Sequence, residues 1–242
     1  MKPLFERSLL IFDEAGITRL QNAHVLVAGV GGVGGFVIEA LARAGIGELT
    51  IIDHDQVSPS NLNRQIIALE STVGLNKVDV MKDRILLINP DCKVNTLASF
   101  ITPEAMPELL TQSFSCVVDA IDSLNCKVAL VKAACDAQVP VFSSMGAGRR
   151  TDPSKVMVSR LDNTHTCGLA RNMRQRLNKH KTASKIPVVF STELPLPPGP
   201  MEDIEGARGR VVNGTASYMP GIFGLMLGGL VINYLVKEDN KG

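Results

Sequence analysis

Short apolar runs alternate with amphipathic stretches along the first 150 residues of the chain. HVLVAG at 24–29 has the composition of a buried strand, and VIEALARAG at 37–45 repeats its apolar positions with helical spacing up to Gly45. ELTIID at 48–53 predicts a strand ending on an acid. GLNKVDVMKDRILLIN at 74–89 predicts a helix with Val78, Met81, Ile85 and Ile88 on one face, stopped by Pro90. KVNTLAS at 93–99 predicts a strand and PEAMPELL at 103–110 a short helix. CVVDAID at 116–122 predicts a buried strand ending in acids, followed by a helix at 127–138 and a strand at 139–146. Such alternation predicts an α/β fold with a Rossmann-like, doubly wound, mostly parallel sheet that binds its ligand at the carboxyl ends of the strands.

The pattern changes after residue 146. KVMVSRL at 155–161 and PVVFST at 187–192 predict added strands flanking a basic helix at 166–181. ELPLPPGPMEDIEGARG at 193–209 is too rich in Pro, Gly and acid for regular structure. It also exceeds the roughly 12–15 residues beyond which loops are usually functional or disordered. GIFGLMLGGLVINYLV at 221–236 is strongly apolar, and no charge occurs between Arg210 and Lys237. Its glycines, its Asn233 and its length, short of the roughly 20 residues a spanning helix needs, predict a helix packed inside the protein rather than in a membrane. One domain over 1–242 is expected, with a nucleotide-binding half at about 20–146 and a substrate-facing half at about 147–242.

Composition narrows the picture little. A formal charge of +1 over 242 residues gives no global signal for nucleic acid, so any basic surface must be local. Cys92, Cys116, Cys126, Cys135 and Cys167 form no CxxC pair, which argues against a zinc clamp or disulfide framework and suits a reducing cytoplasm. MKPLFERSLL lacks the apolar core of a signal peptide.

Two motifs in tandem carry the chemistry. Within GVGGVGG at 29–35, Gly29, Gly31 and Gly34, with Gly32 between them, stand between a predicted strand and helix. There they permit a tight turn and close approach of phosphate to helix amides. Asp53 closes the next strand, where an acid can accept from ribose hydroxyls, and Asp55 is counted in the same nucleotide set. An NAD site would need nothing more. Here SNLNRQ at 60–65 follows, and one helical turn would set Asn61 and Arg64 on one face to hold a triphosphate. Lys77 adds a compact charge suited to phosphate. A lone Arg or Lys is ordinarily a solvated surface charge; clustering behind a phosphate loop reverses that preference. Asp122 can bind Mg²⁺ or cap the following helix, whereas Asp119, inside an apolar strand, suits a buried structural hydrogen bond.

With these motifs the chain resembles the ubiquitin-activating-enzyme-like superfamily, and within it the tRNA threonylcarbamoyladenosine dehydratase branch. The resemblance runs through RSLLIFDEAG at 7–16, the glycine loop, 39–66, DAIDSLNCKVAL at 119–130, CGLARNMRQRL at 167–177 and VVFSTELP at 188–195. It implies ATP contacts from Gly31, Asp53, Asn61, Arg64 and Lys77, Mg²⁺ on Asp122, and a homodimer in which Arg7 reaches the partner's ATP. It also implies a tRNA substrate, activated as an acyl adenylate and cyclised with net loss of water. Adenylation of a sulfur-carrier protein, with a sulfur-transfer partner, is the alternative; the missing CxxC ligands count against it. A nucleotide-dependent RNA-binding protein with little turnover is another.

Nine basic residues, Arg149, Arg150, Arg160, Arg171, Arg174, Arg176, Lys179, Lys181 and Lys185, concentrate charge in one region, fitting either an RNA backbone or a solvated helix face. Cys167 lies beside three of these arginines, which would favour its thiolate, although cyclisation of an adenylate needs no covalent step. His165 and His180 are expected on the solvated surface.

Overall fold

The computed structural model describes residues 3–202, 210–211 and 213–237. A helix that the sequence reading did not place, α1 (Leu9–Gln21), comes first, and the elements after it follow the predicted order: β1 (His24–Ala28), α2 (Gly34–Ala44), β2 (Glu48–Ile52), α3 (Lys77–Ile88), β3 (Lys93–Leu97), α4 (Met106–Leu109), β4 (Cys116–Asp119), α5 (Leu124–Asp136) and β5 (Val141–Ser144). Beyond these come β6 (Val156–Arg160), α6 (Gly168–Leu177), β7 (Pro187–Ser191), β8 (Met201–Glu202), β9 (Arg210–Val211) and α7 (Met219–Leu235).

Seven strands form one sheet in the order β3-β2-β1-β4-β5-β7-β6. All neighbours pair in parallel except β6, which runs antiparallel to β7. The chain moves outward from β1 to β3 and then returns to place β4 beside β1. That reversal opens a crevice at the carboxyl ends of β1 and β4, where ligands bind in doubly wound folds.

Both faces of the sheet are covered, so the central strands read as continuous apolar runs. Val25 and Val27 of β1 face one core with α2, α3 and α7, while Leu26 and Ala28 face the other with α5 and α6. This is the two-residue alternation of a pleated strand. Helix α7 packs beside α2 in parallel, and glycines make the approach possible. A β-carbon at Gly224 would lie 2.4 Å from the Val33 carbonyl oxygen, and one at Gly228 2.9 Å from Ala40 Cβ. The apolar segment at 221–236 is thus spent on packing against α2, as its composition predicts, and no helix among the described residues is long and apolar enough to cross a membrane.

Several boundaries differ from the sequence reading. Strand β4 stops at Asp119, not 122, because the Asp119 carboxylate accepts the Ile121 amide at 3.2 Å and turns the chain. The basic helix spans only Gly168–Leu177; past it, His180 Nδ1 accepts the Ala183 amide at 3.1 Å in a separate turn. Within 193–209, Met201–Glu202 pairs antiparallel with Arg210–Val211, so the segment is not wholly irregular; 203–209 lies outside the described residues.

The α2–α7 contact yields a paired prediction. Gly224→Ala forces a methyl group into the Val33 carbonyl and should cost about 1–3 kcal/mol, as overpacking does. Gly229→Ala, with nothing within 4 Å of its β-carbon, should instead stabilise by about 0.5–1 kcal/mol. Urea unfolding of the two variants checks both signs.

Candidate nucleotide-binding site

The glycine loop joins β1 to α2 at the crevice, and most of its glycines are required by close backbone or side-chain approach. Gly29 has φ +95°, and a β-carbon there would meet the Ala120 carbonyl oxygen at 2.6 Å. A β-carbon at Gly34 would lie 1.8 Å from the Gly29 carbonyl oxygen, and one at Gly32 2.9 Å from Pro220 Cβ. Gly31 is different. Its β-carbon would meet only the Gln65 amide nitrogen, at 3.9 Å, so the protein leaves that side of the loop open. Beside it begins α2, whose first-turn amides and positive dipole end favour an anion.

Asp53 follows directly after β2. Its Oδ2 accepts the Val30 amide at 2.7 Å and its Oδ1 the Asp55 amide at 2.9 Å. The same carboxylate therefore braces the glycine loop, and its remaining lone pairs can accept ribose hydroxyls. Lys77 opens α3 and is 5% exposed; its Nζ lies 2.7 Å from Asp55 Oδ2. Asp55 thus faces the lysine that the sequence set beside it as a separate nucleotide contact.

The Pro59–Asn61 turn and the Arg64 amide bond to the Asn61 carbonyl, 3.0 Å, give the helical turn predicted for this segment. Within it the two side chains diverge. Asn61 is buried, with Oδ1 accepting the Ser58 amide at 3.1 Å. The half-buried Arg64 donates to the Ser60 carbonyl at 2.7 Å and to Asn63 Oδ1 at 2.9 Å, both uncharged acceptors. Asp122 is exposed in the loop between β4 and α5, and Ser123, not Asp122, occupies the cap position of α5. A hard Mg²⁺ ion favours one or two carboxylates together with phosphate oxygens, and an exposed carboxylate in the loop that follows β4 fits that donor set. Asp53, His54 and Asp55 also bring ligand atoms within 4.8 Å of one another, though an imidazole suits magnesium poorly. Arg7 is exposed, just ahead of α1 and remote in sequence from the loop.

Sequence reasoning missed a buried network. Asp119 and Lys127 are both fully buried, with Lys127 Nζ 2.7 Å from Asp119 Oδ2 and 2.9 Å from the Ser144 carbonyl oxygen. The hydrogen-bonded role expected for Asp119 is present, but its partner eight residues away gave no sequence signal. Gln65 was missed as well: it is buried beside Gly31, and its Oε1 is the one buried side-chain atom without a hydrogen-bond partner among the described residues.

The basic residues sort into two groups. Arg150 is 3% exposed and donates to the Gly146 and Glu193 carbonyls, so its work is structural. Arg160 pairs with Asp162, Arg174 donates to Thr164, Arg176 to Asn125 and Arg149 to the Leu196 carbonyl. Arg171, Lys179, Lys181 and Lys185 are exposed and form no ion pair among the described residues.

Glu193, in the STE segment, accepts the Asp152 amide at 2.9 Å and the Thr151 amide at 3.0 Å. Partial burial pushes its carboxyl up, but these amide donors outweigh it and hold the group below its ordinary value. Cys167 is buried at the start of α6, which gives its thiol no open approach. Burial pushes the Cys92 and Cys135 thiols up to about 11, so both stay protonated at neutral pH. His165 is exposed against Phe190, as expected. His180 is more constrained than the solvated reading held, bridging Asp136 Oδ1 at 2.8 Å and the Ala183 amide.

The chain is similar to known proteins over nearly its whole length. The chain is 37% identical to tRNA threonylcarbamoyladenosine dehydratase of Bacillus subtilis, covering 97% of this chain and 95% of that protein. It is 36% identical to the enzyme of the same name from Haemophilus influenzae, covering 95% and 92%. A crystal structure of E. coli tRNA N6-threonylcarbamoyladenosine dehydratase in complex with ATP superposes with a TM-score of 0.87 at 34% identity, covering 98% of this chain and 96% of that one. Residues 5–242 match the ThiF family, and the chain belongs to it.

Proposed function

We propose that the protein dehydrates N6-threonylcarbamoyladenosine in tRNA, using ATP to activate the substrate carboxylate as an acyl adenylate. The observation that carries this reading is the near full-length similarity to dehydratases combined with a glycine loop open only at Gly31. The carboxylate attacks the α-phosphate and expels pyrophosphate. The carbamoyl nitrogen then closes on the activated carbonyl, loses its proton and expels AMP; the substrate loses the elements of water.

In this mechanism the chain contributes positioning and charge. The glycine loop and the α2 amides seat the phosphates, and Asp53 holds the ribose. Arg64 and Lys77 stabilise the charge that develops on the leaving pyrophosphate. Asn61 offers its amide N–H₂ to the same phosphates. Lys77 exchanges Asp55 for phosphate as ATP enters, and the half-exposed Asp55 takes up water instead. A magnesium ion on Asp122, when bound, supplies further charge neutralisation.

We further propose a homodimer completed by Arg7 of each partner, and a cytoplasmic setting, in which five unpaired thiols stay reduced. The exposed Arg171, Lys179, Lys181 and Lys185 would meet the tRNA backbone. No sulfur-transfer step is needed for the reaction as written.

Three experiments test this reading. Gly31→Ala should leave folding almost unchanged, since space exists for the methyl group, but should abolish ATP binding in calorimetry; Gly34→Ala should fail to fold. Arg64→Ala and Lys77→Ala should each lower ATP–pyrophosphate exchange with modified tRNA by about 10²–10³-fold, the usual loss for a transition-state charge donor. Exchange driven by a sulfur-carrier protein and not by tRNA would redirect the assignment to carrier activation. Mixing Arg7→Ala with Lys77→Ala protomers should restore part of the activity, because one composite site in each heterodimer is intact. Verified heterodimers without rescue would exclude the shared site.

A further inference from the structure

The network of Asp119, Lys127 and Ser143 lies at the carboxyl end of β4, where the sheet changes direction beside the glycine loop. All three residues are fully buried. Lys127 Nζ reaches Asp119 Oδ2 at 2.7 Å, the Ser144 carbonyl oxygen at 2.9 Å and Ser143 Oγ at 3.5 Å. Ser143 donates to the same Asp119 oxygen at 2.5 Å. A buried ion pair is poor at raising stability, because desolvating both charges offsets most of their attraction and apolar side chains of similar size often do as well. Its geometry, in contrast, is specific.

That geometry acts on the next three residues. With Oδ2 occupied, Asp119 turns Oδ1 to the Ile121 amide at 3.2 Å, which closes a turn over Ala120. Ala120 forms the wall of the glycine loop: its carbonyl oxygen lies 2.6 Å from the Gly29 β-carbon position, and its methyl 3.2 Å from that of Gly34. The Ala120 amide is held by the Ala28 carbonyl at 2.9 Å. The next residue out of the turn is Asp122. One carboxylate orientation therefore sets both the back of the phosphate loop and the point from which Asp122 projects.

We infer that Lys127, acting through Asp119, is a positioning residue for adenylation. The charged pair fixes the Ala120–Asp122 turn against the glycine loop and so registers Asp122 with the phosphates. This inference rests on the ATP-activating reading above. Neither Lys127 nor Asp119 touches substrate; a shift in the turn of about 1 Å is enough to lower turnover by about 100-fold.

The test is a double variant, Asp119→Asn with Lys127→Met, which removes both charges and leaves no single charge buried. Thermal melting, kcat and the KM for ATP are measured by pyrophosphate exchange with modified tRNA. The expected result is a cooperative melt, kcat lowered about 10- to 100-fold, and an ATP KM changed far less, since the loop and Asp53 persist. A folded double variant with wild-type kcat overturns the inference. Should it not fold, Ser143→Ala reads the same device with the ion pair intact. It is expected to lower kcat by about threefold or more with only a small shift in Tm, and wild-type kcat there overturns the inference equally. Lys127→Arg, which keeps the charge, should retain more kcat than Lys127→Met; equal loss in both would reduce the pair to packing. Failure of the wild type itself to exchange pyrophosphate would instead remove the adenylation reading, and this inference with it.

Discussion

The structure depends on how tightly the glycine loop closes on itself. The β-carbon position of Gly34 falls 1.8 Å from the Gly29 carbonyl oxygen, so any side chain there would force β1 and α2 apart. Three separate parts of the chain press on this turn. Ala120 backs Gly29, Pro220 backs Gly32, and Ile66 Cγ2 lies 3.1 Å from the β-carbon position of Gly35. The strands, the NRQ segment and the C-terminal helix are thus fitted to one another through a loop of seven residues. Only Gly31 is left facing open space, so the direction from which an anion approaches follows from packing as much as from charge.

The same packing ties the second half of the chain to the first. Because α7 lies parallel to α2, its start comes up beside the glycine loop, and the segment leading into it must cross the mouth of the crevice. Hydrogen bonds pin that crossing. Asn63 Nδ2 donates to the Thr215 carbonyl at 3.1 Å, Tyr218 Oη to the Thr151 carbonyl at 2.7 Å, and the Arg149 amide to the Gly214 carbonyl at 2.8 Å. Asn63 sits between Asn61 and Arg64, so the segment proposed to grip phosphate is also a support for this crossing.

The doubly wound, mostly parallel class and the glycine loop were legible because they rest on local pattern: buried runs of four to six residues and glycines at fixed offsets between them. What escaped depends on where a carboxylate or an amide finds its partner. β4 reads as running to Asp122 because Ala120 and Ile121 continue the apolar run, yet the Asp119 carboxylate captures the Ile121 amide and ends the strand. α5 begins at Leu124, three residues before the predicted start. That shift turns Lys127 from an end residue with access to water into an interior one, and hides its pairing with Asp119. Lys77 and Asp55 were both visible as polar residues near a phosphate loop. Nothing in their 22-residue separation says that they meet, because the contact is made only when α3 packs beside the end of β2.

The cations of the crevice consequently differ in how available they are. Lys127 is buried with its charge neutralised by Asp119, and Arg150 is buried with its donors engaged by carbonyl oxygens, so neither side chain is open to a ligand. Lys77 is nearly buried, and a lone ammonium there would carry a desolvation cost that Asp55 offsets at 2.7 Å. On the proposed reading, a triphosphate competes with a carboxylate for Lys77. Asp55 is about half exposed and its Oδ1 also lies 3.3 Å from His54 Nε2, so it depends less on the pair than the nearly buried lysine does. Arg64 faces no such competition: its guanidinium rests on a carbonyl and an amide oxygen, which orient it without neutralising it. In the proposed mechanism, Arg64 and the α2 dipole supply the long-range attraction of the anion. In the proposed mechanism the Lys77 charge acts on phosphate only once phosphate has displaced Asp55, when water is excluded and the interaction is strongest.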